Sequence, residues 1–261
     1  MNSRHTKIAI CAAFYAGKEV VSFISRHPYR VEFVATCDRD SSKYEEEIAA
    51  ICAESNIECY RRIDVNDSDF VQTLSERNID LMILAWWPTI VRSQALAAVG
   101  TGWLNMHPSL LPYGRGKHAY YWSIVEGTPF GVTLHLIDAQ IDEGKILFQK
   151  KLPVSIADTG ELLYGKSVEA NIALFKEAYS KIISLDLVPV IGTDVDGTFH
   201  WGREIESHSR IELDKDYRAS DLINLIRGRT FMDGDSAYFF HEGKKYLIKA
   251  VIEEAPAEMS G

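Results

Sequence analysis

Cysteine is scarce. Four lie in 261 residues, at 11, 37, 52 and 59, with no Cys-x-x-Cys spacing. They read as buried reduced thiols, and a cytoplasmic location is expected with them. No apolar run approaches 18 residues, so no membrane span is expected. The opening MNSRHTK leads straight into a short strand pattern, without the longer apolar core and small-residue cleavage site of a signal peptide. No Gly-x-Gly-x-x-Gly follows that strand; the turn there is Ala12-Ala-Phe-Tyr-Ala-Gly17, which gives a nicotinamide cofactor little support. Asp38, after the second strand, therefore reads as a loop cap rather than a ribose-binding acid. No Gly-x-Ser-x-Gly surrounds Ser109, which argues against a serine nucleophile. Positive charge is also lacking. The net charge of -9 excludes a grip on a long phosphate backbone, hence a nucleic-acid partner, and leaves room for a small anion held by a few local cations. Repeats and low-complexity segments are absent.

What remains is the composition of an ordinary globular protein, long enough for one large domain or a medium one with an appendix. Short apolar runs at 7–13, 31–36, 57–60 and 79–85 alternate with helical patterns opening at Ala16 and spanning 44–54 and 68–78. The start signal of the last is Asp67 or Ser68. Strands that alternate with helices predict a parallel sheet covered on both faces. Further strands are expected at 132–137 and 145–154, and a long amphipathic helix over 161–184, its apolar face made of Leu162, Leu163, Val168, Ile172, Phe175, Ala178, Tyr179 and Ile182. The cluster Gly192, Asp194, Asp196 and Gly197 lacks calcium-loop spacing and reads as a plain loop. The tail predicts a helix over 219–226 and a hairpin of 237–241 with 244–252. That hairpin is too apolar for an exposed ribbon and should pack on the main domain or on a second subunit. The final AEMSG is expected to fray.

Residues 105–144 hold the chemistry. Asn105 and His107 follow the apolar Gly102-Trp-Leu104, and Asp142-Glu-Gly144 follows the strand around Val132–Ile137. An amide donor for a developing oxyanion, a base near neutral pH and a carboxylate to orient it suffice for acyl transfer. At the carboxyl ends of neighbouring parallel strands all three would converge beside Trp86 and Trp87. Those two are adjacent, so one is expected in the core and the other in a pocket wall. His135 shares a strand face with Thr133 and Ile137, and reads equally as support for Asp142 or as a satisfied core histidine. With no further His or Cys at ligand spacing, no metal site is expected.

The words Asn105-Met-His107-Pro108-Ser109-Leu-Leu-Pro112, Arg115-Gly-Lys117, Gly131-Val-Thr133-Leu-His135 and Asp142-Glu-Gly144, in that order, resemble the formyltransferases that use N10-formyltetrahydrofolate. The run Arg115-Gly-Lys-His-Ala and the segment Trp122–Pro129 are most similar to the nucleotide-sugar N-formyltransferases. The resemblance covers 7–154 and loosens in the tail. It implies a Rossmann-like α/β formyltransferase domain with a mostly parallel sheet over 1–205, and a small C-terminal helix and β-hairpin appendix over 206–261. It implies Asn105, His107 and Asp142 as catalytic residues, His107 acting as base or oxyanion stabiliser. It implies Trp86, Trp87, Pro88, Ile137, Asp138 and Ile141 around the folate, and Arg115, Lys117 and His118 on the sugar or phosphate. The expected partners are the folate cosubstrate, a nucleotide-linked amino sugar and a second copy of the chain. The sugar would be a 4-amino-4,6-dideoxyhexose on GDP or dTDP, used for O-antigen or other surface polysaccharide.

Three other readings compete. A methionyl-tRNA formyltransferase handles a polyanion, which this acidic chain does not suit. A formyltetrahydrofolate hydrolase usually carries an N-terminal regulatory domain, for which no room is seen before Lys7. A non-catalytic sensor would not need the intact Asn105, His107 and Asp142. Arg227 and Arg229, at the end of a predicted helix, read as cations facing its carbonyl terminus.

Overall fold

The computed structural model describes residues 6–29, 31–38, 43–190 and 196–255. Its elements run β1 (Ile8–Ala12), α1 (Phe14–Ser25), β2 (Val34–Cys37), α2 (Lys43–Glu54), β3 (Cys59–Ile63), α3 (Ser68–Arg77), β4 (Leu81–Ala85), α4 (Ser93–Ala97), β5 (Gly102–His107), β6 (Arg115–Gly116), α5 (Ala119–Glu126), β7 (Phe130–Leu136), β8 (Ile146–Leu152), α6 (Gly160–Ile183), β9 (Phe199–His200), α7 (Glu204–His208), α8 (Ala219–Gly228), β10 (Ala237–His241) and β11 (Lys244–Ile248). Gly192, Asp194 and the terminal AEMSG lie outside the described residues. Two compact units emerge. The first comprises 1–107, 132–150 and 168–194, the second 108–131, 151–167 and 195–261.

The first unit is built on a seven-stranded sheet in the order β3-β2-β1-β4-β5-β7-β8. β1 and β4 are buried at every position, as strands covered on both faces must be, and β1 to β5 pair in parallel. β7 runs antiparallel to β5. Ala9, Cys11, Phe33, Leu74, Met82 and Trp103 share one core cluster, and the buried indole of Trp103 donates to the Ala95 carbonyl at 3.1 Å. Removing such a side chain costs about 3–5 kcal/mol. α3 shows how local chemistry sets an element's limits. The Asp67 carboxylate accepts from the Asp69 N–H, and Asn78 closes the helix in the left-handed region. The apolar face of α6 is buried as its period requires, with Phe175 and Tyr179 edge-on to Phe23. Leu162 is the exception. It is exposed while Leu163 is buried, because consecutive helical residues point about 100° apart. Cys11, Cys37 and Cys52 are buried, Cys59 is half-buried, and all four are free thiols.

The second unit holds elements that the pattern of the chain did not announce. β6 and β9 form a two-residue parallel pair, allowed because Gly116 adopts positive φ where a Cβ would collide with the His200 carbonyl. α5 packs Tyr121 and Trp122 around Ile205. Trp122 stacks on His200 at 3.6 Å, and His200 in turn lies between Glu126 at 2.6 Å and Glu204 at 3.0 Å. β10 and β11 form the expected hairpin, ending at Ile248 rather than 252. Ala237 joins Ile211 and Leu225 in a small core, and Tyr238 exchanges backbone hydrogen bonds with Ser209 and Ile211. Phe240, Tyr246 and Leu247 stay exposed. Among the described residues no helix is long and apolar enough to cross a membrane.

Candidate active site

The antiparallel register of β5 and β7 sets Asn105 directly opposite His135, and His107 opposite Thr133. Strand alternation then puts Asn105, His107 and His135 on one face. The Asn105 amide nitrogen lies 3.2 Å from His135 Nε2. In an antiparallel pair the carboxyl ends point opposite ways, so Asp142 does not arrive at a shared strand end as a parallel arrangement would bring it. The chain after β7 folds back instead. The Ile137 N–H donates to the Trp103 carbonyl, and the Leu136 N–H to the Lys145 carbonyl at 2.9 Å. Gly144 passes so close to the Leu136 carbonyl that any Cβ would collide with it. Asp142 sits at the bend with φ of 55°. Its Oδ1 lies 3.5 Å from His107 Nδ1 and 3.5 Å from His135 Nε2. The two imidazoles meet at right angles, with centroids 6.0 Å apart. His107 and His135 are buried, and Asn105 and Asp142 are half-buried. A side-chain amide, two imidazoles and a carboxylate therefore meet at a partly buried site, where fixed dipoles act more strongly than in water.

The first unit also holds Trp86, Trp87, Pro88, Ile137, Asp138 and Ile141. Leu84 pairs with Asn105 in register, and Trp86 follows just after the end of β4. The two indoles part company. Trp87 is buried in the cluster of Trp103, whose side chain shares the strand face of Asn105 and His107. Trp86, at φ of 60°, packs on Ala16, Val168 and Ile172. Ile137 packs on the Trp103 cluster, and the Asp138 carboxylate accepts from the Gln140 N–H to shape the loop that carries Asp142.

Arg115, Lys117 and His118 belong to the second unit. His118 takes φ of 61°, and its Nδ1 lies 2.9 Å from the Tyr120 hydroxyl. Burial, reinforced by the charge of Arg229, holds its imidazole pKa below the usual histidine value. Arg227 and Arg229 do more than face a helix terminus. Both are buried. Arg227 donates to the Ser155 carbonyl at 3.0 Å and the Asp158 carbonyl at 2.7 Å, and Arg229 pairs with Asp235 at 2.9 Å. The carbonyl partners of Arg227 are 69 and 72 residues away, so no local signal could have revealed them. His135 had such a signal in its alternation, but its place opposite Asn105 depended on a strand direction that alternation does not encode.

Residues 15–179 match the family described as formyl transferase, and residues 204–254 match the N-formyltransferase dimerization C-terminal domain. A methionyl-tRNA formyltransferase of Caldanaerobacter subterraneus subsp. tengcongensis is 28% identical over 191 residues, covering 72% of this chain and 60% of that protein. A sugar N-formyltransferase from a Shewanella species superposes with a TM-score of 0.82 at 20% identity, over 97% of this chain and 100% of the other. An N-formyltransferase from Helicobacter canadensis, in complex with folinic acid and dTDP-3-aminofucose, gives a TM-score of 0.65 at 18% identity, over 94% and 96%. At those identities the two structures establish the fold. The family match spans more than half of the chain and takes in all the residues gathered around Asp142, and on that ground the chain belongs to the formyl transferase family.

Proposed function

We propose that this protein transfers the formyl group of N10-formyltetrahydrofolate to the amino group of a nucleotide-linked amino sugar. The observation that carries the reading is the meeting of Asn105, His107 and Asp142 in one crevice. The amine attacks the formyl carbon, and the carbonyl oxygen becomes an oxyanion that the Asn105 amide and a protonated His107 stabilise. The protonated His107 gives its proton to N10 as the C–N10 bond breaks, and the imidazole, then neutral, takes the proton of the newly acylated amine. Asp142 holds the imidazole in place. Its 3.5 Å separation from His107 is longer than a closed charge-assisted hydrogen bond of about 2.8 Å, as in many unliganded sites that tighten on their substrates. The crevice beside Trp86, Trp87, Pro88, Ile137, Asp138 and Ile141 takes the folate, and Arg115, Lys117 and His118 take the sugar or its phosphates.

The Helicobacter complex with folinic acid and a dTDP-sugar supports both ligands, and the Shewanella enzyme supports the sugar class. The dimerization match and the exposed Phe240, Tyr246 and Leu247 support a homodimer. The acceptor we favour is a 4-amino-4,6-dideoxyhexose on GDP or dTDP, destined for O-antigen or another surface polysaccharide, and formylated in the cytoplasm. The test is tetrahydrofolate release across a panel of nucleotide amino sugars. Release that depends on one acceptor is the expected result. Equal release without any acceptor would point to a hydrolase, and formylation of methionyl-tRNA in place of the sugars would reassign the substrate.

A further inference from the structure

The group formed by His107, His135 and Asp142 has a geometry that proton transfer alone does not require. One potential ligand atom from each, His107 Nδ1, His135 Nε2 and Asp142 Oδ1, lie within 4.8 Å of one another, and both histidine-to-carboxylate distances are 3.5 Å. A tetrahedral zinc ion with bonds of about 2.0–2.1 Å has ligand-to-ligand edges of about 3.3 Å. The two histidine-to-carboxylate spacings are thus close to the edges of a zinc site, and a small closure of the two imidazoles brings the third within range. The donors also suit the ion. Two imidazoles and one carboxylate are its common oxygen and nitrogen ligands, and a divalent charge offsets a carboxylate drawn partly out of water. Two of the three stand on paired strands, and the third sits on a turn fixed by Gly144. Asn105 adds a fourth position. Its amide nitrogen stands 3.2 Å from His135 Nε2, and a half-turn of the amide exchanges that donor for an oxygen.

We propose that this crevice binds one divalent transition-metal ion, zinc by preference, through His107, His135 and Asp142, and that the bound ion inhibits turnover. The ion occupies the lone pairs of His107 and Asp142 that proton transfer uses, so the occupied state and the catalytic state exclude each other. The binding claim rests on geometry, while the inhibition claim also rests on the proposed formyl transfer.

Zinc is titrated into the full-length protein by calorimetry, and cobalt is followed by its visible absorption, which reports tetrahedral ligation without reference to activity. We expect one ion per chain, binding at least tenfold weaker in Asp142→Asn and in His107→Gln, and turnover that falls with occupancy and returns on chelation. His135 is fully buried, so these two gentler substitutions carry the test, with circular dichroism verifying the fold. His200→Asn, which disturbs the separate cluster of His200 with Glu126 and Glu204, should leave binding unchanged. Equal affinity in wild type and Asp142→Asn, loss of binding in His200→Asn, or no binding at micromolar zinc would each overturn the proposal. If zinc binds as expected but no acceptor is formylated, the metal site stands and the functional reading falls. If formylation proceeds but no zinc binds, the reverse holds.

Discussion

The two compact units bury polar groups for different ends. In the first, Glu45 is buried on Thr36 and Arg61 as part of the structure, but the sheet also gathers His107, His135 and Asp142 in one place. In the second, charge is embedded as structure. Arg227 ties 155 and 158 to α8, and Asp158 receives Lys166 at 2.7 Å and the Ser155 N–H at 2.7 Å. Burial pushes the Asp158 carboxyl up, but Lys166 and the Ser155 N–H outweigh it and leave its pKa below the usual range. A sheet positions groups through its register and can leave them reactive. A loop-rich unit has fewer backbone ladders, and it uses its charged side chains to satisfy stray carbonyls. Buried charge is therefore a poor guide to chemistry in this chain unless its hydrogen bonds are traced first.

The sharpest way to break that contrast is in the first unit. Asp142→Ala and His107→Ala should each lower turnover on the order of 10²–10⁴-fold, with the thermal transition little changed. The double substitution should be little worse than the poorer single one, because the groups act as a unit. Fully multiplicative losses in steady-state kinetics would show that they act apart. Asn105→Ala should cost on the order of 10²–10³-fold in kcat through the lost donor.

Next comes Arg227→Ala, which strands the buried Asp158 carbonyl and removes the bond to the more exposed Ser155 carbonyl. We expect a loss of about 3 kcal/mol in urea unfolding, with Arg227→Lys failing to restore the pair of contacts. An unchanged midpoint would mean that water replaces the guanidinium without penalty.

His118→Asn tests the pH dependence, and Asn tolerates the same left-handed backbone. The folded pKa of His118 lies below its unfolded value of about 6.5, so the unfolded chain binds the extra proton. The stability held at neutral pH should decline as pH falls below about 6.5 and continue to decline until the depressed folded value is passed. The variant should lack that component in pH-dependent unfolding curves.

The smallest effect on folding should come from Leu247→Asp on the exposed face of β11, within about 0.5 kcal/mol. The same change should shift sedimentation toward the monomer if the hairpin faces the second subunit. An unchanged mass would place the dimer contact elsewhere.

Much of the first unit was legible because its signals are local. Asp67 and Asn78 bracket α3 within a residue of the observed ends, and the apolar runs of β1 and β4 announce a covered parallel sheet. Asn105, His107 and Asp142 stood out because the motif holds them in fixed order, and the fold does bring them together. The direction of β7 was hidden, since a link of more than 20 residues containing α5 is long enough for a parallel crossover. The pair β6–β9 joins residues more than 80 apart through two positions each, too short for any periodicity to register. Arg227 was misread because its helix-end position looked sufficient, whereas its partners lie in a distant segment.

The pairing of β5 with β7 also governs when the site comes into being during synthesis. A ribosome that has released only the first 130 residues has supplied β1 to β5 with Asn105 and His107, but neither His135 nor Asp142. His107 is present without Asp142, and Asn105 faces an empty neighbouring position in the sheet. The grouping of these side chains is thus complete only with the docking of β7 and the return of its loop, after the parallel strands have been made. A folding intermediate short of that step lacks the group formed by His107, His135 and Asp142 altogether.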